Sequence, residues 1–134
     1  LFRSMKKQNL LYLALALSVM LALSSCHDHG VHIRVNDDAD EYRLRASFDE
    51  DLTDDVQRVI NRHLHKHNAG STAYIHTDCD FELGDGTNFY LKLKPGQVRI
   101  RFDRDDNTEE SYEDMHAMCD EIKDVLARRD EDRY

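Results

Sequence analysis

The chain predicts an α+β fold: a two-layer sandwich in which an antiparallel sheet of about five strands carries two helices on one face, in the order ββαβββα. Three observations carry this expectation. Apolar and polar residues alternate in five short stretches, two longer stretches repeat apolar residues at helical spacing, and each strand has a single apolar face. Such a sheet buries its apolar face under the helices and leaves the other in water.

Val31, Ile33 and Val35 alternate with His32 and Arg34, and Tyr42, Leu44, Ala46 and Phe48 alternate with Arg43, Arg45 and Ser47. These two strands form a hairpin across the acidic stretch from Asn36 to Glu41. The acidic run from Asp49 to Asp55, with Thr53 as cap, opens an amphipathic helix whose stripe is Leu52, Val56, Val59, Ile60 and Leu64. Basic residues from Arg62 to His67 close that helix in keeping with its dipole, and Asn68 to Gly70 stop it. A long third strand runs from Ile75 to Leu83 and ends at Gly84-Asp85-Gly86. Phe89, Leu91 and Leu93 mark the fourth strand, and Pro95-Gly96 turns it into a fifth carrying Val98, Ile100 and Phe102. Asn107, with Glu110 three residues on, reads as the capping box of a second helix reaching about Arg129. One domain over 31–129 follows, with a charged tail at 130–134.

Composition narrows the function. Forty per cent apolar residues, 5 Gly and 1 Pro exclude wholesale disorder and collagen-like structure. A formal charge of -9 gives no diffuse attraction to nucleic acid, which is not an expected partner.

Residues 1–25 contain no Asp or Glu. Met5 is the expected start; Lys6 and Lys7 then precede an apolar run from Leu10 to Leu23, short of the roughly 20 residues of a spanning helix. The run ends in Leu23-Ser24-Ser25-Cys26, which resembles the lipobox of bacterial lipoproteins. The resemblance implies a signal peptide over 1–25, lipidation at Cys26, a tether over 26–30, and attachment to a membrane of the cell envelope. His27 rather than Asp after the cysteine points to the outer membrane, facing periplasm or surface. Loss of Arg3, Lys6 and Lys7 with the leader would leave 27 acids against 15 bases.

Several residues are candidates for chemistry. Cys79 and Cys119 both alternate into the apolar side, and an oxidising envelope favours a disulfide between them over two buried thiols. His63 and His67, one helical turn apart, could share zinc or copper, with Asp28, His76 or His116 completing the ligand set. Asp103, Asp105, Asn107, Glu109, Ser111 and Asp114 follow calcium-loop spacing, but helix capping explains the same residues. Arg34, Arg43, Arg45, Lys92, Lys94, Arg99 and Arg101 all occupy polar strand positions and so share the open sheet face. Arg43, Arg45, Lys92, Arg99 and Arg101 would there bind an anionic glycan or an acidic segment of an envelope protein through guanidinium forks. The competing reading pairs these cations across strands with Asp78, Asp80 and Glu82. Ser47, Ser71 and Ser111 sit in no nucleophile motif, and no phosphate-binding glycine loop occurs, so binding is expected rather than catalysis.

Overall fold

The computed structural model of the chain describes residues 30–67 and 76–132. The expected leader, Cys26 and the expected start of the third strand at Ile75 lie outside them. The elements are β1 (His32–Asp37), β2 (Glu41–Ser47), a 3-10 turn (Glu50–Leu52), α1 (Thr53–Lys66), β3 (Thr77–Glu82), β4 (Asn88–Lys94), β5 (Gln97–Asp103) and α2 (Glu109–Glu131). This is the expected ββαβββα α+β fold, with α2 running two residues into the stretch read as a charged tail. None of the described helices is long and apolar enough to cross a membrane.

The strands lie in the order β1-β2-β5-β4-β3, each pair antiparallel. The meander of β3, β4 and β5 folds back so that β5 docks on β2, which sends β3 to the far edge. Pro95-Gly96 joins β4 to β5 between the paired residues Lys94 and Gln97. Gly96 has φ +76°, and a Cβ there would stand 2.8 Å from the Phe48 carbonyl oxygen, so only glycine fits. Its N–H donates to Thr53 Oγ1 at 2.9 Å, and its carbonyl accepts from Phe48 N–H at 2.9 Å. Thr53 is therefore a buried tie between α1 and the turn, not the helix cap that its spacing suggested.

The cap of α2 also moves. Ser111 N–H donates to Thr108 Oγ1 at 3.1 Å, so Thr108 caps the helix. Asn107 is drawn away to β4 and β5: its Oδ1 accepts from Asn88 N–H at 2.7 Å, and its Nδ2 donates to the carbonyls of Asn88 at 3.0 Å and Asp103 at 2.6 Å.

Leu44, Leu91, Leu93, Val98, Ile100 and Phe102 line one face of the three central strands without solvent exposure. They pack against Val56, Val59, Ile60 and Leu64 of α1 and Met115, Met118, Cys119, Ile122 and Leu126 of α2. Burying each such aliphatic or aromatic side chain is worth roughly 1.5–3 kcal/mol. The helices run antiparallel, since Asp55 meets Arg129 at 3.4 Å while Arg62 meets Glu121 at 2.7 Å. The edge strands protrude: every residue of β1 is exposed, and so are four of the six in β3.

That protrusion corrects the expected disulfide. Cys79 pairs with buried Leu91 and does lie on the helix side of the sheet, but on the uncovered edge strand it is exposed. Cys119 is buried against the Tyr42 hydroxyl of β2, and burial pushes its thiol up to about 12. Three strand spacings separate β2 from β3, roughly 14 Å, against the 7 Å limit for bridged cysteine Cα atoms. Both thiols are free.

Candidate functional site

Strand alternation sends Arg34, Arg45, Arg99 and Lys92 to the face opposite the helices, and the register of the sheet sets them side by side. Arg34 of β1 stands opposite Arg45 of β2, Arg45 opposite Arg99 of β5, and Arg99 opposite Lys92 of β4. Four cations thus form one row across four strands, and Asp78 of β3 ends it. A second row beside it sets Arg43 opposite Arg101 and Arg101 opposite Tyr90. Neighbouring strands are about 4.8 Å apart, and like charges directly opposite one another are destabilising. At about 5 Å in water each adjacent pair costs roughly 0.8 kcal/mol before the side chains splay.

The expected cross-strand neutralisation is confined to the margins. Asp78, Asp80 and Glu82 all lie on the edge strand, and of these only Asp78 reaches a cation, 3.7 Å from Lys92 Nζ. The Tyr90 hydroxyl donates to Asp78 at 2.6 Å, and this hydrogen bond, followed by the nearby Lys92 charge, holds the carboxyl below its usual range. Arg43, predicted as a ligand-binding residue, is instead held in a fork by Glu41 of its own strand at 2.8 and 2.9 Å. Among the described residues, Arg34, Arg45, Arg99 and Arg101 have no ion pair. Arg101 stands 5.4 Å over the Tyr90 ring, and Arg99 Nε is shielded from solvent with no hydrogen-bond partner. Shallow grooves of about 490 Å³ lie to either side: one is walled by Arg34, Arg45 and Gln97 with no acid in its lining, whereas the other sets Arg43, Tyr90 and Arg101 among the carboxylates of Glu41, Asp80, Glu82, Asp103 and Asp106. Guanidinium groups set side by side in this way can receive several carboxylates, each held by paired N–H donors.

The histidine pair resolves differently. His63 Nε2 stands 2.7 Å from Glu121 Oε2; that hydrogen bond and the Arg62 charge lower the pKa of Glu121. His67 turns to another neighbourhood, with Nδ1 3.5 Å from Asp85 Oδ2 and Nε2 3.8 Å from Asp114 Oδ2. One ligand atom from each of His67, Asp85 and Asp114 lies within 4.8 Å of the others, a triad that can hold a metal ion. The expected sharing by His63 and His67 is thus replaced, because separate carboxylates claim the two imidazoles. His116 is likewise taken, by Asp120 at 3.1 Å. By sequence Asp85 is a turn residue and Asp114 a calcium-loop position. Their approach to His67 depends on the β3–β4 turn packing against the end of α1, where Gly84 N–H donates to the His67 carbonyl at 3.3 Å.

No known protein family, curated protein or solved structure matches this chain.

Proposed function

We propose that this chain is a lipid-anchored protein of the bacterial cell envelope, tethered through Cys26, whose domain binds an anionic partner on its open sheet face. The row Arg34, Arg45, Arg99 and Lys92 carries the reading. An acidic protein that aligns four cations without interleaved acids gives up stability, and an incoming polyanion relieves that repulsion while the forks orient its carboxylates. The partner is a carboxylated glycan or an acidic stretch of another envelope protein, and no bond is made or broken. The leader and lipobox supply the compartment.

Titration with polyuronate and with polyglutamate, read by thermal shift against sodium chloride of equal ionic strength, tests the binding. Either polymer should raise the melting temperature beyond the salt control, and Arg45→Glu or Arg99→Glu should weaken binding at least about tenfold. Equal shifts with polymer and salt would overturn the reading. Mass spectrometry of the membrane-extracted protein checks the anchor: the mature chain should begin at an acylated Cys26, and a retained leader would refute it.

A second reading rests on His67, Asp85 and Asp114. One imidazole and two carboxylates are a harder donor set than paired imidazoles and suit zinc better than copper. After chelation, zinc added back should bind the wild type and be lost from His67→Ala and Asp85→Asn but kept by His63→Ala. Retention by the first two variants excludes this triad.

A further inference from the structure

We infer that copies of this chain join edge to edge, β1 of one lying parallel to β3 of the next, in a head-to-tail row of sheets. Among the described residues the strand order makes β1 and β3 the two edges, neither with a second neighbouring strand. Four antiparallel steps separate them, so they run in the same direction. A neighbour with its helices on the same side therefore presents β1 to β3 in parallel. Uncovered edges of this kind are templates for pairing with another chain.

The two edges complement each other on both faces. On the open face β1 carries Arg34, while β3 carries Asp80 and Glu82, exposed acids with no ion pair among the described residues. On the helix side β1 carries Ile33 and Val35, exposed at 37% and 41%, the large hydrophobic side chains left open to solvent among the described residues. There β3 carries exposed Cys79 and half-buried Phe81. Setting Arg34 beside Asp80 places Ile33 beside Cys79 and Val35 beside Phe81, because side chains alternate with period two on both strands. A slip of one residue would set Arg34 against an apolar neighbour and spoil both matches together.

This complementarity selects a second copy of the chain as the occupant. β3 against β3 sets acids against acids, and β1, whose open face carries Arg34 between His32 and Asn36, offers a second β1 no acid for that arginine. The contact uses different surfaces on the two copies, so it does not close on itself and propagates as a row. The contact takes up Arg34 and leaves Arg45, Arg99 and Lys92 of each copy outside it.

Two experiments test the contact. Full-length copies with different tags are co-expressed, one carrying Ile33→Cys and Cys79→Ser, the other retaining Ile33 and Cys79. Mild oxidation should link the two tags, and Cys79→Ser in the second copy should abolish that product. Crosslinks only between identically tagged copies, or none, would overturn the proposal. In sedimentation velocity the wild type should self-associate with rising concentration. Arg34→Glu and Asp80→Arg should each weaken association about tenfold, and the double exchange should restore it. All these positions are exposed, so the variants leave the core intact. A wild type that stays monomeric, or a double exchange that fails to recover, refutes the contact.

Discussion

Asn107 shows how much one side chain can hold. Its amide satisfies one backbone N–H and two carbonyls where β4 begins, β5 ends and α2 approaches. Replacing it with alanine should cost about 1–2 kcal/mol in chemical denaturation, since three backbone groups lose their partner in a partly exposed site. Its sequence signal was misleading: Asn followed by Glu three residues later fits a capping box, but Thr108 fits one position on, and local spacing does not separate the two. Glu121 supports a pH prediction. Its folded pKa lies below the ordinary 4.5, chiefly through the His63 hydrogen bond and then the Arg62 charge. The folded state then binds fewer protons than the unfolded one. This contribution is complete above pH 4.5 and is lost as the pH falls through the lowered folded value. Urea titrations at falling pH should show Glu121→Gln losing less stability than the wild type over that interval.

Elements were legible where period and burial agree. Both helices and all five strands follow from apolar spacing, because each must turn one apolar side to a common core. Edge strands expose the weakness of that inference. Ile33, Val35, Cys79 and Phe81 alternate like core residues and do face the helix side, yet Ile33, Val35 and Cys79 are exposed and Phe81 is only half-buried. The row of cations belongs to this scale as well. Because like charges oppose one another across β1, β2, β5 and β4, Arg45→Thr should stabilise the unliganded domain by about 0.2–1 kcal/mol in thermal unfolding while weakening polyanion binding. A purely structural arginine would lose stability on the same substitution.

At the scale of the whole molecule, charge is segregated. The chain carries a net charge of -9, yet four bases line up across one face, with the nearest acids of that row at the sheet edge. Polyanion affinity should therefore fall steeply as salt rises, and the dependence should flatten in Arg45→Glu, a slope measurable by titration at several salt concentrations.

The periodicity of residues by itself determined that Arg34, Arg45, Lys92 and Arg99 share a polar face and that two helices cover the other. Only the tertiary structure decided which strands are neighbours. Docking β5 on β2 aligned four cations, put Cys79 three strands from the β2 residue Tyr42 against which Cys119 packs, and left β1 and β3 as edges. Packing of the β3–β4 turn on α1 brought Asp85 to His67. Periodicity is written into local sequence, whereas strand order is set by how the whole chain best buries its apolar faces, and no local window contains that information.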